Sequence, residues 1–143
     1  MRIRPADKGD LTELHRLERA AFGSHAYPAF FLRQAWDLWP SSLLVAIETS
    51  AIVGYVLAGR GDADEGWILS LAVAPQARRM GLGRRLTEAA IDVLASQGCR
   101  RVRLTVEPAS AAQALYVSLG FVEVEREPDY FGPGQARVVM SRG

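Results

Sequence analysis

The sequence predicts an α/β fold in which helices cover both faces of one mixed β-sheet. Three observations carry that expectation. Segments with an apolar period near 3.6 residues alternate with segments of period two or of continuous apolar character. One continuous apolar segment, Leu69-Ser-Leu-Ala-Val-Ala-Pro75, runs directly into an arginine- and glycine-rich loop and then an amphipathic helix, as a buried strand feeding a crossover does. The length, 143 residues with 49% apolar side chains, suits one continuous core, so residues 1–143 are expected to form a single domain.

Each element follows from local signals. Arg2–Arg4 reads as a short first strand. Asp10 is the expected N-cap of a helix reaching about Phe22, with Leu11, Leu14, Leu17 and Ala21 at helical spacing. Gly23-Ser-His-Ala-Tyr-Pro28 breaks that helix, and Pro28 opens a second, Ala29–Trp39, that Pro40 ends. Leu43–Glu48 and Ala51–Arg60 read as strands joined by a tight turn around Thr49-Ser50, and Gly61–Gly66 as a polar turn. Trp67–Val73 is apolar on both faces except at Ser70, which predicts a central strand; a bulge-related role is one reading of that serine. A third helix runs from Gly81 to about Ser96, with Leu82, Leu86, Ala89, Ala90, Val93 and Leu94 as its buried stripe and Gly98 as its stop. Arg101–Val106 is a strand that turns Val102, Leu104 and Val106 inward. Ser110 caps a fourth helix, Ala111–Leu119, closed by Gly120, and two last strands, Phe121–Arg126 and Gln135–Met140, flank a loop of prolines, glycines and aromatics. The order is βααβββαβαββ.

Charge and composition exclude several classes. A net charge of +1 gives no global field toward nucleic acid or membrane, so neither is an expected partner. The longest nearly apolar runs, Leu43–Ile47 and Ala51–Ala58, are far too short to span a bilayer, and the Met-Arg-Ile-Arg-Pro start lacks the apolar stretch of a signal peptide. Cys99 stands alone, which excludes a disulfide framework and a cysteine-based metal site and fits a reduced, cytoplasmic setting.

The basic character is local. Arg78, Arg79, Arg84 and Arg85 crowd one turn at the start of the third helix, where backbone amides point outward and the helix dipole favours anions. Gly81 and Gly83 carry no side chain to hold a phosphate away, so the turn reads as a pyrophosphate cradle. It is not a Rossmann fingerprint, because Leu86 stands where the third glycine belongs, and no Gly-Lys-Ser/Thr follows to make a P-loop. A tight turn with solvated arginines is the plain alternative. The pattern Val73-x-Pro75-x-x-Arg78-x-x-Gly81-x-Gly83, followed by Ala114-Leu-Tyr116-x-x-x-Gly120-Phe121, resembles the GNAT superfamily of acyl-CoA-dependent N-acyltransferases. The likeness runs from the Ile-Arg-Pro-Ala-x-x-x-Asp-Leu opening to the closing strand. From the central strand through the fourth helix the chain is similar to bacterial ribosomal-protein alanine N-acetyltransferases.

That resemblance implies a GNAT-like, centrally splayed mixed sheet, with acetyl-CoA (coenzyme A) as cofactor. It puts the pyrophosphate on amides from Arg79 to Arg84, through Met80, Gly81, Leu82 and Gly83, with Arg78 alongside. Pantetheine would add to the open edge of the central strand at Leu71, Ala72 and Val73, and the Leu71 amide would serve as oxyanion donor. Tyr116 becomes the candidate general acid for the departing thiolate, with Ser110 near the cofactor at the head of the fourth helix. Leu71, Val73 and Tyr116 also have a packing explanation; on the strand both hold, because a cofactor would use backbone and the core side chains. A general base is harder to find. The ribosomal-protein enzymes carry a glutamate where this chain has Thr105, which takes up no proton at neutral pH, and an asparagine often found before the fourth helix is absent. Glu107, two residues beyond Thr105, and Glu65, just ahead of the central strand, are the substitutes, each equally readable as an exposed carboxylate.

Magnitudes narrow the acceptor. An α-amine with a pKa near 8 is roughly one-quarter neutral at pH 7.4, whereas a lysine side chain near 10.4 is only about 0.1% neutral. A site without a strong base therefore leans to an α-amine on a protein or peptide N-terminus, attacking directly in a ternary complex. A small-molecule amine is the rival acceptor, and a non-catalytic acyl-CoA-binding regulatory domain is the rival class. In this architecture the acceptor meets the first two helices and the last hairpin. Tyr27, His25 and Tyr130 are the candidate contacts there, while Phe30, Phe31 and Trp36 read as helix core. Homodimers are common in this superfamily, though no surface of the sequence argues for one.

Overall fold

The computed structural model describes residues 1–143. Its strands are β1 (Arg2–Pro5), β2 (Leu43–Glu48), β3 (Ala51–Arg60), β4 (Glu65–Val73), β5 (Arg101–Val106), β6 (Val122–Glu127) and β7 (Arg137–Arg142). Its helices are α1 (Leu11–Phe22), α2 (Ala29–Leu38), α3 (Leu82–Ser96) and α4 (Ala111–Ser118). The chain order is the expected βααβββαβαββ. One mixed sheet runs β1-β2-β3-β4-β5-β7-β6, with β4 in the middle and β4–β5 as its parallel pair. No helix is long and apolar enough to cross a membrane.

Apolar side chains on both sheet faces explain the layers. On one face Leu14 and Leu17 of α1 and Leu32 and Ala35 of α2 pack on Tyr55, Leu57 and Ala72. On the other, Leu82, Leu86 and Leu94 of α3 and Tyr116 of α4 pack on Val56, Ile68, Leu104 and Phe121. The β2–β3 hairpin turns through Thr49 (φ 48°) and Ser50 (φ 68°), the two left-handed residues of a tight hairpin loop.

Several details depart from the local signals. The chain enters α1 through a one-turn 3₁₀ segment, Lys8–Asp10; Asp10 stands at the N-cap of α1 as expected, but its side chain makes no cap bond into that helix and instead accepts from the Asp7 amide at 2.8 Å. On α3 the sealed stripe includes Thr87 and Ile91, while Ala89 and Val93 are only partly buried; the Thr87 hydroxyl is satisfied by the Gly83 carbonyl at 2.8 Å. Phe30 is 70% exposed rather than core, while Trp36 anchors α2 by donating its indole N–H to the Ala6 carbonyl at 2.9 Å. The last strand begins two residues later than its apolar pattern suggested and runs on to Arg142.

Candidate active site

The site begins with a parting of strands. β4 and β5 pair from Glu65/Arg101 to Ile68/Leu104 and then stop, although β4 continues to Val73 and β5 to Val106. The sheet is therefore splayed at its centre, as expected. Backbone groups in a strand alternate between neighbours. The Ala74 amide donates to Val53 of β3 at 2.8 Å, so by alternation Ala72 also faces β3, and the amides of Leu71 and Val73 face the open side. The Val73 carbonyl on that side accepts the Arg78 guanidinium at 3.3 Å.

The turn that follows leaves its amides unspent. Arg79 (φ 70°) and Gly81 (φ 72°) are both left-handed, Met80 lies between them, and no side chain caps α3. The first α3 bond is Arg85 N–H to Gly81 C=O at 3.1 Å, and the amides of Arg79, Met80, Gly81, Leu82, Gly83 and Arg84 donate to no protein acceptor. Alternating backbone conformations of this kind converge N–H groups into an anion-binding concavity at a positive helix end. These residues fit a diphosphate. The Arg84 guanidinium itself is drawn to Ser118 Oγ of α4 at 2.6 Å, which locks α3 to α4.

Where β4 and β5 diverge, a cavity of about 410 Å³ passes through the sheet. One mouth is lined by Glu18 and Phe22 of α1, His25, Tyr27, Phe131, Gln135 and Arg137. The other is lined by Ser110, Ala112 and Tyr116, with Leu71 of β4 and Thr105 and Glu107 of β5 along the gap. The structure thus gathers Leu71, Glu107, Ser110, Tyr116, His25 and Tyr27 around one space. The phosphate turn lies beyond its lining.

Tyr116 is buried against Phe121, ring centroids 5.6 Å apart and edge to face, and burial pushes its phenol up to about 12. Its hydroxyl makes no hydrogen bond within the protein, and the one sealed side-chain polar atom without a hydrogen bond is Arg103 Nε, which has only an ion pair, so the Tyr116 hydroxyl opens onto the cavity. Ser110 caps α4 by accepting the Gln113 amide at 3.2 Å, and its hydroxyl donates to the Glu107 carbonyl at 2.7 Å. Tyr27 stacks on Phe31 at 4.6 Å, and its phenol is raised, first by burial and then by the charge of Glu18.

Of the candidate catalytic and acceptor residues, two are not brought to the cavity. Glu65 opens β4 at the closed end of the sheet and pairs with Arg103 at 3.4 Å, because parallel registry sets Trp67 opposite Arg103 there. Tyr130 packs edge to face on Phe131 at 4.8 Å, and it is Phe131, held under the Arg137 guanidinium at 5.1 Å, that lines the wall.

One cavity-lining carboxylate escaped the sequence reading: Glu18, 2% exposed in the middle of α1. Its Oε1 accepts from the Tyr55 hydroxyl and from Ser70 Oγ at 2.6 Å, and its Oε2 accepts from the Tyr27 amide at 3.0 Å. Three donors stabilise a charge that burial alone would make costly. The signal was present. Glu18 lies four residues after Leu14 and seven after Leu11, on the apolar row of its helix, where a carboxylate needs a reason.

The Acetyltransferase (GNAT) family matches residues 10–121 of this chain. N-alpha-acetyltransferase 30 of Schizosaccharomyces pombe is 29% identical over 113 residues, which cover 76% of this chain and 75% of that protein. The ribosomal protein bS18 alanine N-acetyltransferase of Escherichia coli is 42% identical over 69 residues, 48% of this chain and 47% of its own length. Among solved structures, Chaetomium thermophilum Naa20 in complex with a bisubstrate analogue aligns with a TM-score of 0.88 at 26% identity, covering 99% of this chain and 86% of that one.

Proposed function

The chain belongs to the GNAT acetyltransferase family, and on that premise we propose that it acetylates the α-amine of a protein or peptide N-terminus. Its acyl donor is acetyl-CoA. The observation that carries the acceptor assignment is Glu18, a carboxylate across the cavity from the Tyr116 phenol and flanked by Tyr27, Phe22 and Phe131. A carboxylate on this wall can take the proton an attacking amine loses, and an α-amine, roughly one-quarter neutral at pH 7.4, asks less of it than a lysine side chain does. The names of the fission-yeast and Escherichia coli relatives point the same way, to α-amines.

In this reading residues 1–143 act as one catalytic domain. Amides from Arg79 to Arg84 hold the diphosphate, and the open edge at Leu71 and Val73 aligns the pantetheine arm. When bound, acetyl-CoA supplies a thioester carbon for the amine to attack and a thiolate that departs. The Leu71 amide donates to the carbonyl oxygen as it gains charge. Glu18 receives the proton the amine loses as its C–N bond forms, directly or through one water. Tyr116 gives its proton to the sulfur as the C–S bond breaks and recovers one from solvent. Glu107, exposed at the rim, is left the lesser role of charge near the cofactor side.

The test is a comparison of acceptors. A peptide beginning with alanine should gain one acetyl group at its α-amine, located by fragmentation mass spectrometry, and small amines should react at least tenfold more slowly. Turnover confined to small amines overturns the N-terminal assignment. Binding of acetyl-CoA with no turnover on any amine favours a regulatory binder instead.

A further inference from the structure

We propose that Ser70 and Tyr55 are positioning residues that hold the Glu18 carboxylate in its working orientation, and that a one-residue bulge at Leu69 delivers the Ser70 hydroxyl to it. This rests on the reading of Glu18 as proton acceptor.

Pairing with β3 sets Ser70 opposite Leu57 and Ile68 opposite Ala58, so Leu69 has no partner. Side chains alternate faces along a strand, and one extra residue reverses the alternation beyond it. The reversal is visible in the packing. Ile68 belongs to the core under α3, whereas Ala72, an even number of residues further on, belongs to the core under α1 and α2. Without the bulge Ser70 would share the face of Ile68 and meet no carboxylate. With it, the hydroxyl reaches Glu18 at 2.6 Å across the sheet face that α1 covers.

Tyr55 completes the arrangement from β3. It is fully buried, and a phenylalanine would fill the same space; the hydroxyl is tolerated because it donates to Glu18. Its phenol is raised far above the ordinary range by burial first and by the Glu18 charge next, so it remains a donor. Both hydroxyls bond Oε1, which uses both lone pairs of that oxygen. Oε2 has only the Tyr27 amide, so it is the oxygen with acceptor capacity left for the amine proton. The same carboxylate ties Ser70, the neighbour of Leu71 on the cofactor edge, to Tyr27 on the acceptor loop. It thereby fixes the distance between the two reactants.

Steady-state kinetics of the full chain on an alanine-starting peptide test this. Tyr55→Phe and Ser70→Ala should each lower kcat about tenfold, the usual weight of a hydrogen bond to a charged group, with acetyl-CoA binding unchanged by calorimetry. In a Glu18→Gln background neither substitution should lower kcat further, since residues acting through one group are not additive. Additive losses in the double variants overturn the proposal, and so does wild-type kcat in both hydroxyl variants. Full activity of Glu18→Gln overturns the reading of Glu18, and this proposal with it. If Ser70→Ala melts below the assay temperature, Tyr55→Phe, which removes one oxygen only, decides.

Discussion

A phenol held near pKa 12 is a poor acid in water and a dependable one at neutral pH, because almost none of it has lost its proton. Tyr116→Phe should therefore lower kcat by about 100-fold or more while acetyl-CoA affinity, read by calorimetry, stays within about twofold. The sign of the pH dependence follows from the same burial. The active form is protonated, so loss of this group appears only as pH rises toward 12, and an alkaline limb near 10 that persists unchanged in Tyr116→Phe belongs to another group. Glu65 gives the opposite expectation. Its partner is Arg103 at the closed end of the sheet, so Glu65→Gln should leave kcat/KM within about twofold and cost at most about 1 kcal/mol of stability in denaturant titration, the ceiling for a part-exposed ion pair. A large loss of rate would restore it as a candidate base.

At the scale of elements, the turn between β4 and α3 is the part that sequence pattern and backbone geometry describe in the same terms. Gly81 sits at φ 72° with open space around its missing side chain, so a substitution there meets strain and not collision. Gly81→Val should weaken acetyl-CoA binding at least tenfold in calorimetry with a melting temperature lowered by only a few degrees, because the amides lose their convergence while the α3 core is untouched. Unchanged affinity would mean the diphosphate is held elsewhere. β4 shows the limit of local reading. Its composition announced a central strand, and Ser70 stood out as the polar exception, but the register against β3 alone decides that Leu69 is the bulged residue and which face the serine takes.

Across the whole molecule, two phenol rings are buried in opposite cores, Tyr55 under α1 and Tyr116 under α4, and both are raised by burial. A raised phenol contributes stability fully below its unfolded value near 10 and loses it as pH climbs through the folded value. From neutral pH, thermal melting should be flat up to about pH 10 and then fall through 12, and Tyr55→Phe should soften that fall; an equal fall in the variant would assign it to other groups. The element order, the central strand, the phosphate turn and Tyr116 were legible because each depends on residues close in sequence: an apolar period, a glycine that must be left-handed, a cap, a motif of fixed spacing. Glu18 was not. Its partners Tyr55 and Ser70 lie 37 and 52 residues away, and neither is a motif by itself. The sequence by itself determined the chain's family and singled out the glycine–arginine turn and Tyr116 as its candidates for cofactor and acid. Only the packing of α1 on the splayed sheet decided which carboxylate lines the cavity, because a buried charge is chosen by the donors around it, and those donors come together only when distant strands and helices meet.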